Sequence, residues 1–107
     1  MTFKTKYATY ENCEFETGYY GNGNRALKVS SEEEGLICVC SVNQPWGNVP
    51  DDAIAIKNYS ENEGMDETLA DMGIISEKLA EIPSGFVTIP VYRLTEKGLA
   101  LWENPAW

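Results

Sequence analysis

Acidic and amide side chains in residues 55–74 are the densest set of groups in this chain that could do chemistry. The stretch reads AIKNYSENEGMDETLADMGI, and Lys57 is its only base. Carboxylates at this density bind cations, transfer protons, or face the lysines and arginines of a partner. The candidate binding residues are the acids of this stretch and the acidic pair before it: Asp51, Asp52, Glu61, Glu63, Asp66, Glu67 and Asp71.

The spacing of these carboxylates does not favour a metal site or acid–base catalysis. A calcium-binding loop counted from Asn58 needs a glutamate at position 12, where Leu69 stands. Acid–base catalysis needs carboxylates that converge in a cleft, whereas a convex helix face spreads them apart. The chain has no histidine, which excludes serine–histidine and cysteine–histidine nucleophiles. We therefore predict no metal, no cofactor and no enzymatic activity. A small hydrolase or transferase would instead show a deep pocket with convergent polar groups.

Three cysteines, an odd number, favour reduced thiols over a disulfide framework. Cys38 and Cys40 are two residues apart and lie on one face of a predicted strand. Only Cys13 is available as a further soft ligand. We interpret the three as buried, unreactive thiols, with a metal or redox site as the alternative.

The net charge of −9 is concentrated in one part of the sequence. Residues 51–81 carry nine acids and two bases, whereas the other 76 residues carry eight acids and six bases. This surplus disfavours direct binding of nucleic acid and favours a basic protein as partner. No apolar run is long enough to cross a membrane, and the first residues lack the apolar core of a signal peptide. We therefore expect a cytoplasmic protein that does not bind membranes.

The elements that must position these groups begin with β-strands. Alternating apolar and polar residues predict strands through the N-terminal half, and a further strand leads into the acidic stretch. The Asn22-Gly23 pair predicts a hairpin turn, because both of its positions favour positive φ. Residues 36–42 are apolar on both faces apart from Ser41, which predicts a central strand. The strands predicted in this part are residues 2–10, 13–20, 25–30, 36–42 and 53–59.

A helix of about ten residues is predicted to follow, starting near Ser60 or Asn62 and ending at Gly73. Ser60 and Glu63 have the spacing of a capping box, in which each side chain bonds a free backbone donor near the other. Apolar residues at helical spacing form its buried stripe: Met65, Leu69 and Met72.

Three acids stand opposite that stripe, at successive i, i+4 positions: Glu63, Glu67 and Asp71. Like charges at this spacing oppose one another by about 0.2–0.5 kcal/mol per pair. Asp71 also lies near the negative end of the helix dipole. The simpler interpretation is a solvated face that tolerates this small cost, and the alternative is a docking face for lysines and arginines.

The C-terminal third predicts a short extended piece at residues 73–75, a turn at 81–85 and a strand at 86–94. Pro90 cannot donate to a ladder, so this strand is expected at a sheet edge or with a bulge. Residues 95–107 predict a helical turn. Together these elements predict one α+β domain over residues 1–107, with an antiparallel sheet of about five or six strands and one main helix packed on one face.

Three segments of the sequence stand out together: SVNQP, AIAIKNYSENEGMDETLADMGII and SGFVTIPVYRL. They resemble a family of small proteins of unknown function, encoded mainly on plasmids, conjugative elements and phages of gut bacteria. The resemblance covers residues 42–94, and KNYSENEG, residues 57–64, is its most specific part. The family supplies no catalytic residues.

The resemblance implies a mobile-element origin, and small acidic proteins of such elements often inhibit host defence. Anti-CRISPR proteins that occupy a nucleic-acid channel are one example, and the analogy is one of size, charge and origin. A negative face can replace phosphates against a basic groove. We therefore expect a non-enzymatic inhibitor that binds a basic, nucleic-acid-handling nuclease of the bacterial host, such as a CRISPR effector.

A structural or accessory protein of the mobile element is the alternative function. Such a protein would form homo-oligomers through apolar surface, and its clue is a set of aromatic side chains: Tyr19, Tyr20, Trp46, Trp102 and Trp107. Ordinary packing in the core is the simpler explanation for each of them.

Overall fold

Eight β-strands and two α-helices make up the part of the chain that the computed structural model describes, residues 1–43 and 49–103. The sheets are antiparallel, which confirms the predicted α+β class. The strands are β1 Phe3–Lys4, β2 Thr9–Tyr10, β3 Cys13–Tyr19, β4 Arg25–Ser31, β5 Gly35–Val39, β6 Ala53–Ala55, β7 Ile75–Ser84 and β8 Val87–Leu94. The helices are α1 Met65–Asp71 and α2 Glu96–Glu103, and a 3₁₀ turn spans Ser60–Asn62.

Three sheets replace the single predicted one. The strand orders are β1-β2, β3-β4-β5 and β6-β8-β7. The two larger sheets meet where Ser41, just after β5, pairs with Ile56, just after β6. Backbone hydrogen bonds flank this bridge, from Val42 to the Ala55 carbonyl at 3.1 Å and from Lys57 to the Cys40 carbonyl at 2.9 Å. The two larger sheets are thus joined edge to edge at this bridge, just beyond the edge strands β5 and β6.

The first predicted strand, residues 2–10, is wrong, because this segment forms the β1–β2 hairpin. Thr5 closes the turn through its side chain, whose Oγ1 accepts hydrogen bonds from the amides of Tyr7 at 3.2 Å and Ala8 at 3.0 Å. Such a side-chain-to-backbone bond competes with an extended ladder. Tyr7 is 65% exposed at this turn.

The second hairpin is confirmed, with a different turn. Only Gly23 of the Asn22-Gly23 pair has positive φ, at +88°. The Gly23 amide bonds the Tyr20 carbonyl at 2.9 Å, and the Tyr20 amide bonds the Asn24 carbonyl at 2.8 Å. A tight turn followed by one left-handed glycine therefore joins β3 to β4.

Residues 36–42 were predicted as a central strand, but β5 lies at the edge of its sheet. The apolar character on both faces has another cause. Beyond Val39 the chain pairs with Leu27 on one side, through Cys40, and with the second sheet on the other. The segment is buried because it connects two sheets.

Pro90 was predicted at an edge or in a strand with a bulge. The edge is wrong, because β8 is the central strand of its sheet, but the register of β8 with β7 is irregular next to Pro90, where Tyr92 and Val91 pair with Lys78 and Ala80. The β6–β8 ladder ends at the pair Ala55 and Val91, one residue before Pro90 is reached. The missing N–H therefore falls beyond the ladder, while the Pro90 carbonyl still accepts a hydrogen bond from Ile56 at 3.0 Å.

The predicted short extended piece and turn at 81–85 are also wrong, because β7 runs for ten residues and the chain turns at Gly85 and Phe86. This strand lies at the sheet edge, and most of its side chains are exposed. Charges, Pro83 and an irregular register between Ile75 and Ala80 set it apart from an ideal strand. These features suit an edge strand, which must avoid pairing with other chains.

Two apolar clusters lie on opposite faces of the β6-β8-β7 sheet. Ile54 and Ile56 point into the main core, whereas Ala53 and Ala55 point into a smaller one, because alternate residues of a strand face opposite sides. The main core also receives α1 and α2, and the described residues form one compact domain. None of the described helices is long and apolar enough to cross a membrane.

The C-terminal helical turn is confirmed and extends to eight residues as α2. Thr95 begins it, since its Oγ1 accepts a hydrogen bond from the Gly98 amide at 3.0 Å. Trp102 is buried and donates from Nε1 to the Gly18 carbonyl at 2.9 Å, which fixes α2 against β3.

Candidate functional site

The helix that carries the acidic residues is shorter than predicted and starts later. Ser60, at φ +56°, opens the 3₁₀ turn, and left-handed Gly64 separates that turn from α1. The predicted capping box does not form, because Glu63 lies outside the helix and its side chain turns to the β1–β2 hairpin. Asn62, the other predicted cap, is buried and donates to the Val39 carbonyl at 2.6 Å.

Asn58, and not the predicted caps Ser60 or Asn62, provides the side-chain hydrogen bond to the first turn of α1. Its Oδ1 accepts a hydrogen bond from the Asp66 amide, in the first turn of α1, at 3.1 Å. The helix end is as predicted: Gly73 has φ +76°, and the Ile74 amide bonds the Leu69 carbonyl at 3.0 Å. Two glycines with positive φ, Gly64 and Gly73, thus mark the two ends of α1.

Four of the seven candidate acids line one open groove between α1 and the β1–β2 hairpin. The groove has a volume of about 660 Å³, and its acids are Glu63, Asp66, Glu67 and Asp71. Lys4 and Lys6 also line it, and Thr68 of α1 donates to the Lys4 carbonyl at 3.1 Å. The expected convex helix face is therefore one wall of a groove.

Glu63 is held by the hairpin across this groove. Its carboxylate pairs with Lys6 Nζ at 3.1 Å and accepts a hydrogen bond from the Tyr7 hydroxyl at 3.3 Å. The hydrogen bond and charge of Lys6 lower the pKa of Glu63, and Glu63 raises the pKa of Lys6 in the same way. Both side chains are exposed, so solvent weakens the pair.

Asp66 has a structural position in the first turn of α1. One carboxylate oxygen accepts a hydrogen bond from the amide of Glu67 at 2.8 Å, and the other accepts one from the Tyr92 hydroxyl at 2.8 Å. Burial raises the pKa of Tyr92 to about 12, and the bond to Asp66 adds to that rise. This carboxylate connects α1 to the central strand β8.

Glu67 and Asp71 are the acids that remain available in the groove. Both are exposed and stand one turn apart on α1. Within the residues that the structure describes, neither carboxylate forms an ion pair with a lysine or arginine; Lys6 acts on Glu67 only at longer range. A cation in the groove could pair with these two carboxylates without breaking any ion pair of the described residues.

The other three candidate acids lie elsewhere. Glu61 pairs with Lys57 at 2.6 Å, outside the groove, and this partner lowers the pKa of Glu61. Asp51, in the turn before β6, accepts a hydrogen bond from Arg25 through its backbone carbonyl at 2.7 Å. The Asp52 carboxylate pairs with Arg93 at 2.6 Å.

Asp51 and Asp52 were expected to belong to the acidic surface, but the structure places Asp52 away from the groove. Arg93 and Tyr92 are neighbours on β8, so their side chains point to opposite faces of the sheet. Tyr92 binds Asp66 and Arg93 binds Asp52, which places the two aspartates on opposite faces. Asp52 therefore does not extend the groove.

Sequence reasoning missed the opposite wall of the groove, which Lys4 and Lys6 line. The hairpin and α1 are far apart in sequence, since the hydrogen bond from Thr68 to the Lys4 carbonyl joins residues 64 positions apart. No local pattern encodes that contact. The only available signal was the basic pair in a chain that has few bases.

The aromatic residues proposed for self-association divide into two groups. Trp102 is buried, and the hydroxyls of Tyr20 and Ser41 are hydrogen-bonded at 2.9 Å, so these aromatics serve packing. Tyr19 is 61% exposed and lies beside the Arg25 guanidinium, 5.8 Å from its ring centre. Trp46 and Trp107 lie outside the described residues.

In the described ranges, no three histidine, cysteine, aspartate or glutamate side chains are grouped to hold a metal ion. The groove thus presents carboxylates to solvent, with two of them committed to partners within the chain and two open. Compared with protein families, curated proteins and solved structures, the chain shows no significant match.

Proposed function

We propose that this protein is a non-enzymatic binding protein that presents the acidic groove, with Glu67 and Asp71 at its centre, to lysine and arginine side chains of a basic partner. The partner is a nucleic-acid-handling protein of a bacterial host, such as a CRISPR nuclease. By binding this partner, the acidic protein inhibits host defence. Residues of the groove that hold the fold, Asp66 above all, support the surface without binding the partner.

The observation that carries the proposal is the placement of Glu67 and Asp71 without an ion pair among the described residues. Their charges repel at i, i+4 spacing, and Asp71 stands at the negative end of the helix dipole. Glu67 lies in the first turn of α1, where the helix dipole favours its charge, so stability alone leaves the charge of Asp71 without an explanation. A partner that supplies cations would relieve both effects at once.

Charge and shape support the same partner. The groove contains four carboxylates against two lysines, in a chain of net charge −9. Its open form, about 660 Å³, leaves room for long basic side chains. A basic channel that binds phosphates would be attracted to this face by the same long-range field.

Self-association remains the alternative function. Tyr19, Leu36 and Phe86 are exposed and could form part of an apolar contact. The edge strand β7 counts against strand-to-strand pairing, because its exposed charges and Pro83 disfavour the addition of another strand. Light scattering after size exclusion separates the two functions, since apolar self-association survives high salt and a charge-driven complex does not.

Inhibition of a nuclease is the direct test of the proposed activity. Purified CRISPR nucleases are loaded with guide RNA, mixed with the protein and assayed for cleavage of target DNA. The proposal expects slower cleavage by at least one enzyme, with the inhibition removed in the double variant Glu67→Lys, Asp71→Lys. Glu32→Lys with Glu33→Lys changes the net charge equally on the exposed β4–β5 turn, and this control should inhibit like the wild type. Equal loss in both double variants would contradict a specific groove.

A further inference from the structure

Cys38 and Cys40 form a close thiol pair that the acidic groove does not use. Their Sγ atoms are 3.9 Å apart, and both cysteines are free. Cys40 is fully buried in the main core, as is Cys13, whereas Cys38 is only partly buried. The prediction of buried thiols is thus confirmed for Cys13 and Cys40 alone. Cys38 thus lies nearer the surface, and Cys40 lies in the core.

The surroundings make the two thiols unequal. The hydrogen bond from Cys40 lowers the pKa of Cys38, and the nearby charge of Lys57 lowers it further, against the effects of burial and of Glu61. The same hydrogen bond and burial raise the pKa of Cys40 well above its usual range. Cys38 therefore loses its proton first, and a thiolate is the attacking species in thiol chemistry. The accessible sulfur is also the more reactive one.

From this arrangement we propose that Cys38 and Cys40 are a thiol–disulfide exchange site for small disulfides, with Cys38 as the attacking residue and Cys40 as the resolving residue. The Cys38 thiolate attacks one sulfur of a disulfide such as oxidised glutathione and releases one small thiolate. Cys40 then loses its proton to that base, attacks the Cys38 sulfur and releases the second small thiolate. The protein loses two electrons and two protons, and the small disulfide becomes two thiols.

Strand geometry makes the resulting bond easy to reduce. Cys40 lies one residue beyond β5, and its amide still bonds the Leu27 carbonyl of β4 at 2.8 Å, so the chain continues in strand-like pairing. Two residues of strand advance separate Cα atoms by about 6.6–6.8 Å. Disulfides join Cα atoms about 4.4–6.8 Å apart, so this pair lies at the upper limit and forms a strained bond. Strained disulfides exchange readily with thiols, as a reversible modification requires.

Peptide mapping of the full chain tests the proposal. Trypsin cleaves after lysine and arginine, so Cys38 and Cys40 fall on one peptide, residues 29–57, and Cys13 on another, residues 7–25. The reduced protein is incubated with oxidised glutathione, quenched with acid, unfolded and alkylated. We expect the 29–57 peptide to lose both alkylation sites together and two hydrogens in mass, while Cys13 stays alkylated. Reduced glutathione should restore both sites.

Two results would overturn the exchange site. One is full alkylation of Cys38 and Cys40 after exposure to oxidised glutathione. The other is glutathione fixed on Cys38 with Cys40 still alkylated, since the second step would then be missing. Cys13→Ser is the matched control and should oxidise like the wild type, whereas Cys38→Ser should leave Cys40 unmodified. The wild-type mapping decides the question even where a core variant at Cys40 does not fold.

Discussion

The hydroxyl of Tyr92, in the central strand β8, donates a 2.8 Å hydrogen bond to the carboxylate of Asp66, in the first turn of α1. This bond joins the helix that carries the acidic groove to the sheet beneath it. Asp66 thus differs from Glu67, its exposed neighbour, although sequence placed both in one acidic surface. One aspartate positions the helix, and the next glutamate is open to a partner.

Replacing Tyr92 by phenylalanine should destabilise the protein by about 1–2 kcal/mol, because one carboxylate oxygen of Asp66 loses its donor. Urea unfolding followed by tryptophan fluorescence measures the change. Tyr19→Phe is the control, since that side chain is exposed and has no hydroxyl bond to lose among the described contacts. Equal midpoints for the two variants would show that the Tyr92–Asp66 bond does not hold α1 in place.

The same bond predicts how stability changes in alkali. The pKa of Tyr92 is about 12 in the folded chain, raised by burial and by Asp66, and about 10 in an unfolded chain. The folded state keeps the proton longer, so the contribution of Tyr92 is complete below about pH 10 and declines as the pH rises toward 12. We expect the stability difference between wild type and Tyr92→Phe to shrink over that interval. A constant difference would show that Tyr92 ionises alike in both states.

Asp71→Asn should stabilise the free protein by about 0.3–1 kcal/mol. The substitution removes a negative charge from the C-terminal end of α1 and its repulsion with Glu67. Glu33→Gln, on the exposed β4–β5 turn, removes one charge away from any helix and should have little effect. Thermal unfolding at low salt compares the two, and a loss of stability for Asp71→Asn would mean that this carboxylate has a stabilising contact.

Gly98→Ala should destabilise the protein by about 1–3 kcal/mol, as overpacking does. A Cβ at this position of α2 would stand 2.3 Å from the carbonyl oxygen of Ile74, in the connection between α1 and β7. Gly21→Ala is the matched control, because a Cβ there meets no atom within 4 Å. Urea midpoints separate the variants, and a neutral Gly98→Ala would show that α2 can move away from the backbone at Ile74.

Local patterns predicted the parts of the fold that depend on near neighbours. The alternation of β3 and the left-handed Gly73 at the end of α1 are set within a few residues, so both were recognised. Pairing between distant strands has no such signal. Pro90 looked like an edge residue because the sequence does not show where the β6–β8 ladder stops, and polar β7 looked like a turn because an edge strand can be exposed.

The candidate site follows the same rule. Glu67 and Asp71 were found from helical spacing, which local structure preserves. Lys6 was missed because it reaches Glu63 through tertiary folding, and Asp52 was included because proximity in sequence does not reveal the face of a sheet. The spacing of Cys38 and Cys40 predicted that they share a face, whereas their unequal burial depends on how two sheets meet.

Capture of basic proteins from a bacterial lysate is the most direct test of the acidic groove. The tagged protein is incubated with nuclease-treated lysate at low and high salt, beside Glu67→Lys, Asp71→Lys and the charge-matched Glu32→Lys, Glu33→Lys. We expect the wild type and the control to capture the same nucleic-acid-handling protein at low salt and to release it at high salt. The groove variant should capture none. Equal capture by both double variants, or binding that resists salt, would contradict the groove as the partner site.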